Sequence, residues 1–179
     1  MSERLRLADA SIRLDSMPAA GRDISVTPSA AEREALALQQ EIASIDRLTV
    51  TLHAVRFRGG IRVTGRLEAE ITQLSVVSLE PVTQAISEPI DRIFLPGGDK
   101  PFAAAAGAEI FVDLDGEDVP DHFDGPEADL TELIVETLTL GADLYPRAPG
   151  ESVADLDLPD AEAEESPFAV LKALKDKEP

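Results

Sequence analysis

The chain has 179 residues, a length for one domain plus tails, and 44% of them are hydrophobic, which is enough for a single core. Aromatics are only 4% and tryptophan is absent, so that core must be built mainly from Leu, Ile, Val and Ala. No cysteine is present, which excludes disulfides, thiolate zinc sites, iron–sulfur clusters and cysteine nucleophiles.

Residues 5–12 alternate loosely and read as an edge strand, followed by a loop punctuated by Pro18, Gly21 and Pro28. Residues 29–42 read as a helix: Ser29 is the N-cap, Glu32 closes a capping box, and Ala and Leu dominate the turns after it. Its modest stripe, Leu36, Gln39, Gln40, Ile42 and Ala43, is expected to cover a sheet.

Period-two patterning then predicts a β-hairpin across Gly59-Gly60. Leu48, Val50 and Leu52 alternate with Thr49, Thr51 and His53, and Val55 and Phe57 continue the apolar face one residue out of phase. Ile61, Val63, Leu67, Ala69 and Ile71 alternate with Arg62, Thr64, Arg66, Glu68 and Glu70. A three-residue turn, 59–61, sets Phe57 opposite Val63, and the phase slip then requires a bulge near Ala54. This register puts Leu52 beside Leu67 and Leu48 beside Ile71. A third strand over 82–95 carries Val82, Ile86, Ile90 and Phe94 on one face. Pro81 and Pro89 cannot donate ladder bonds, so that strand is expected to be interrupted or at an edge.

Residues 97–108 read as loop, 110–114 as a short strand and 115–128 as an acidic loop. A second helix over 130–140 has Leu130, Leu133, Ile134, Leu138 and Leu140 at helical spacing, Asp129 or Thr131 as its cap, and Gly141 as its stop. The predicted fold is thus α+β, a mainly antiparallel β-sheet with two covering helices, over residues 1–146. An acidic linker, 147–165, is expected to be disordered when alone. A short C-terminal motif, 166–179, comes last: Ser166 caps it, Pro167 starts it, and Phe168, Val170, Leu171 and Leu174 share an apolar face. At under ~12 residues it is too short to be a stable helix alone, so it should dock in a groove on its own domain or on a partner.

The charge of −19 is unevenly spread. Residues 1–112 hold 15 acids against 12 bases, 113–165 hold 18 acids against Arg147 alone, and 166–179 hold two acids and three lysines. This field repels nucleic acid at long range and attracts basic proteins, which argues against DNA as a partner. No apolar run approaches the ~18–20 residues of a membrane span, and the polar N-terminus does not read as a signal peptide, so a soluble cytoplasmic protein is expected.

Chemistry-bearing motifs fail on spacing. Counted from Asp113, a calcium loop would need Gly where Asp118 stands and Glu where Asp124 stands. Gly97-Gly98-Asp99-Lys100 lacks the spacing and hydroxyl of a P-loop, and no nucleophile elbow occurs. His53 and His122 are too far apart in sequence to suggest a metal cluster. No catalytic residue, metal or cofactor is therefore expected. The one exception to the acidic field is the hairpin, where Arg56, Arg58, Arg62 and Arg66 are expected to project from one face. They suit phosphate or carboxylate groups, or else pair with Glu68, Glu70 or the acidic tail.

The order of VTGRLEAEITQLSVVSLEPV, IDRIFLPG, an acidic insertion, ADLTELIVETLTLGADLYPRAPG and SPFAVLKALK resembles the YceD family of bacterial and plastid proteins. The resemblance runs from Leu5 to Lys175. It implies a non-enzymatic ribosome-biogenesis factor that supports large-subunit (23S) rRNA accumulation, with a basic ribosomal protein or the rRNA precursor as partner. An acidic interaction module or holdase for basic clients is the alternative. Many relatives have a Cys-x-x-Cys pair where this chain has Ser75 and Ser78, so no metal or redox role of that pair can operate here. Oligomeric state stays open.

Overall fold

A computed structural model of the protein describes residues 5–97 and 120–152. The predicted strand at 110–114, most of the acidic linker, and the motif carrying Phe168, Val170, Leu171 and Leu174 lie outside the described residues.

The first ordered element is β1, Ser11–Arg13, shorter than the alternation at 5–12 suggested, and it is followed by β2, Arg22–Val26. The second lies inside the stretch expected to be loop. Helix α1, Ala30–Gln39, starts as predicted: Ser29 accepts from the Glu32 amide, and the Glu32 carboxylate accepts from the Ser29 amide at 2.7 Å. It ends three residues early, with Gln40 as C-cap and Glu41 at φ 55°.

Three long strands follow: β3 (Ser44–Phe57), β4 (Gly60–Leu74) and β5 (Pro81–Pro96). The β3–β4 turn has two central residues, not three. Arg58 and Gly59 both take positive φ, 47° and 83°, as a type I′ hairpin turn requires, and Phe57 pairs with Gly60. Leu52 therefore faces Gly65 and Leu48 faces Ala69, which corrects the predicted register. The bulge falls at Asp46, between Ile45 and Arg47, rather than near Ala54. Ala54 simply continues the buried set of Leu48, Val50 and Leu52, so no phase slip exists.

Strand β5 is continuous despite its prolines. Pro81 is its first residue, and Pro89, opposite Arg66, lies where β5 has no second strand beside it among the described residues. Two short strands, β6 (Asp121–Phe123) and β7 (Glu127–Asp129), lie in the stretch expected to be acidic loop. Helix α2, Thr131–Gly141, is the last element among the described residues. Leu130 is its N-cap, Asp129 accepts from the Thr131 amide at 2.9 Å, and the Thr131 hydroxyl instead accepts from the Leu7 amide.

The main sheet has the order β2-β3-β4-β5-β6, antiparallel except for the β5–β6 pair, and β1 and β7 form a separate antiparallel ribbon. One face of the main sheet is covered. Leu48, Val50, Leu52, Ile61, Val63, Leu67, Ile71, Ile86, Ile90 and Phe94 are buried there with Leu36 of α1 and Leu133, Ile134 and Leu138 of α2. The opposite face of β3, β4 and β5 carries no buried residue among those alternating outward from Thr49 to Val55, Arg62 to Glu70 and Thr83 to Asp91. The α+β architecture read from the sequence is the one observed, and it leaves a broad, solvent-facing sheet surface.

Candidate nucleic-acid interface

That open face is electrically divided along its length. Because β4 alternates, Arg62, Thr64, Arg66, Glu68 and Glu70 all project outward, bases towards the β3–β4 hairpin and acids towards the far end. Arg62 donates from Nε to Asp91 Oδ1 at 2.8 Å and from Nη2 to Asp91 Oδ2 at 2.6 Å, a two-pronged contact across to β5. The guanidinium holds the Asp91 carboxyl below the usual carboxylate range through these bonds. Arg66 donates from Nη1 to Ser87 Oγ at 2.9 Å. Among the described residues no carboxylate lies within ion-pair distance of Arg66, so its charge is not neutralised there.

The hairpin tip adds a third cation. Arg58 is in the left-handed region and its guanidinium sits 5.0 Å from the Phe57 ring centroid. Phe57 is partly exposed, so the tip pairs a flat cation with an accessible aromatic ring. On β3, His53 Nδ1 lies 2.6 Å from Asp23 Oδ1 of β2, so the histidine is partnered.

Arg56 does not belong to this face, contrary to the expectation from sequence. Parity within β3 puts it on the helix side with Ala54, and its Nη2 donates to the Leu14 carbonyl at 2.7 Å and the Met17 carbonyl at 3.3 Å. It fastens the loop after β1 to the sheet. Because the bulge lies at Asp46, parity runs unbroken through Ala54 to Arg56, which is why Arg56 is not on the open face. Among the described residues neither Glu68 nor Glu70 pairs with Arg62 or Arg66, which bond Asp91 and Ser87 of β5, while most of the acidic tail lies outside those residues. Alternation with Ile86 and Ile90 puts Ser87 and Asp91 on the outward face, but pairing them with the arginines needs the β4–β5 register.

Ser75 and Ser78 lie in the β4–β5 loop at the opposite end of the sheet. Ser75 is fully buried; its Oγ accepts from the amides of Val77 and Ser78 at 3.1 and 3.3 Å and donates to Glu151 Oε2 at 2.5 Å. The Ser78 hydroxyl accepts from the Glu80 amide. The Ser75 and Ser78 hydroxyls and the Ala148 amide hold the Glu151 carboxyl below its ordinary range. Bonding to the domain thus reaches Glu151, inside the stretch read as linker from residue 147.

Among the described residues, no group of three or more His, Asp or Glu side chains could hold a metal, and no helix is long and apolar enough to cross a membrane. The arrangement at the hairpin end offers fixed guanidinium donors, hydroxyls and one aromatic face, a set that binds anions and stacks on planar groups.

Comparison with curated proteins and with solved structures gives no match. A family model does match: residues 63–175 align with the family described as large ribosomal RNA subunit accumulation protein YceD. The matched stretch includes Arg66, Ser75, Ser78 and the whole of α2, and it begins just after Arg62. Since it spans more than half of the 179 residues, the chain belongs to the YceD family.

Proposed function

We propose that the protein is a cytoplasmic, non-enzymatic ribosome-biogenesis factor that supports the accumulation of large-subunit rRNA. Membership of a family named for that role carries the reading. The open sheet face supplies the physical means. Arg58, Arg62 and Arg66 present donors to phosphate, with Arg66 as the principal contact because its charge has no acidic counterpart among the described residues. The strongly acidic stretch 113–165 repels RNA at a distance. RNA contact is therefore local, and the acidic stretch is left to engage a basic ribosomal protein. The Arg62 and Arg66 guanidinium groups are held in place by Asp91 and Ser87, which suits binding rather than proton transfer.

Depletion followed by gradient sedimentation tests this. The protein should co-sediment with large-subunit precursors, and its loss should lower large-subunit rRNA selectively. Equal loss of both rRNAs with no co-sedimentation would instead favour the second reading, a holdase for basic clients, which rests on the net charge of −19.

A further inference from the structure

The end of the sheet away from the hairpin carries a second surface of different chemistry. Val76 and Leu79 of the β4–β5 loop, and Leu144 and Tyr145 after α2, are all exposed. Two bonds join the segments that bear them: the Val76 amide donates to the Pro146 carbonyl at 2.9 Å, and Ser75 donates to Glu151. Leu79 is 70% exposed and sits at φ 62°, a conformation unfavourable for a branched side chain. Its amide donates to the Ser75 carbonyl at 3.0 Å, so the loop holds this strained residue with its apolar side chain in water. Exposed carboxylates, Glu80 and Asp143, flank the surface.

We propose that this surface seats the chain's own C-terminal segment, residues 166–177. That segment supplies the complementary chemistry: Phe168, Val170, Leu171 and Leu174 for the apolar side chains, and Lys172, Lys175 and Lys177 for the carboxylates. The point of departure favours the same answer. Glu151 is bonded to Ser75, inside the loop that forms the surface, and the chain leaves the described residues at Ser152. Thirteen residues, 153–165, separate that point from Ser166. Thirteen residues reach at most about 45 Å even when fully extended, so the tether holds the segment within range of the surface and raises its effective concentration there. A modest intrinsic affinity is then sufficient to keep the surface covered.

Tyr145 reports on this directly, because it is the only tyrosine of a chain without tryptophan. Acrylamide quenching of its fluorescence should be measured on the full chain, on full-length Phe168→Asp/Leu171→Asp, and on full-length Leu79→Asp. Aspartate tolerates positive φ better than leucine, so the last variant keeps the loop's shape. Each variant should raise the quenching constant about two-fold as the tethered contact is lost, and combining them should add nothing further. Cooperative thermal unfolding of the domain should be kept in all. The proposal is overturned if Tyr145 is quenched equally in the parent and in Phe168→Asp/Leu171→Asp, or if Leu79→Asp leaves the protection intact. Protection that depends on protein concentration also overturns it, since the occupant is then a second copy.

Discussion

The hydroxyl of Ser75 donates to the carboxylate of Glu151 across 2.5 Å, joining residues 76 positions apart. The same oxygen accepts two amides of its own loop, from Val77 and Ser78. One buried hydroxyl therefore closes the β4–β5 loop and also ties it to the segment that follows α2. At a position where the resemblance to the family implies a cysteine in many relatives, this chain makes the closure by hydrogen bonds alone.

Ser75→Ala should consequently cost roughly 1–3 kcal/mol, because two amides and a carboxylate lose their partner at a buried site. Ser78→Ala should cost less, since that hydroxyl accepts only a 3.3 Å bond from the Glu80 amide and contributes more weakly to Glu151. Urea denaturation compares the two. The difference between parent and Ser75→Ala should also depend on pH. Glu151 is depressed in the folded state, so its contribution is present above the ordinary glutamate range and is lost as pH falls through the lower folded value. The gap between the two proteins should therefore narrow in acid; a gap that is constant from pH 7 to pH 3 contradicts this account.

The helix cap yields a related test. Glu32 accepts from the amides of Ala8 and Ser29 and from the Ser29 hydroxyl, and these bonds, the Ala8 amide foremost, lower its pKa. Ser29→Ala should cost about 1 kcal/mol at neutral pH, the usual value of an N-cap. Glu32→Gln should be less stable than the parent at pH 7, yet should lose less on acidification below about pH 4.5. The carboxylate it replaces stabilises the fold only while ionised. Parallel acid-unfolding curves for Glu32→Gln and parent would refute the assignment.

The capping box was legible because Ser29 and Glu32 are three residues apart and their interaction is local. The buried faces of β4 and β5 were legible for the same reason: alternation is a property of neighbours along the chain. Features set by pairing were not. Arg58 occupies the left-handed region although nothing in its side chain favours it, so the two-residue turn was hidden and the register moved. Strand β2 forms because Asp23, Ile24 and Val26 find β3, not because 18–28 has a strand-like pattern. Strands β6 and β7 likewise borrow their partners from distant β5 and β1. At the candidate interface the arginines were visible, but Asp91 and Ser87 became their partners only through the β4–β5 register.

One glycine marks where two backbones approach closely. A Cβ built on Gly65 would lie 2.1 Å from the Thr51 carbonyl oxygen and 2.9 Å from the Leu52 Cα, both backbone atoms of β3. Neither can swing aside. Gly65→Ala must push β3 and β4 apart near the middle of the sheet, with an expected loss of about 2–3 kcal/mol, in the range of other overpacked sites. Gly59→Ala is the contrasting case: its Cβ meets nothing within 4 Å, so its cost reflects only the positive φ. Thermal unfolding of both variants separates steric from conformational cost, and a harmless Gly65→Ala would show that the strands can separate freely.

Arg56 and Arg66 are ten residues apart and lie on opposite sides of the sheet, so they offer a clean separation of stability from binding. Arg56→Ala removes the donor to the Leu14 and Met17 carbonyls and should cost about 1–2 kcal/mol, leaving association per folded molecule unchanged. Arg66→Glu sits on the open face and gives up one bond to Ser87; its stability should stay within about 0.5 kcal/mol of the parent. It should nonetheless weaken co-sedimentation with large-subunit precursors, because it puts a negative charge where phosphate is expected. The salt dependence of that association should be shallow, since Arg58, Arg62 and Arg66 can neutralise only ~2–3 phosphates. Arg62→Gln is the graded case, because Asp91 already competes for its guanidinium and a smaller loss is expected. Unchanged co-sedimentation of Arg66→Glu would remove the open face from the mechanism and shift the contact with the particle to the acidic stretch.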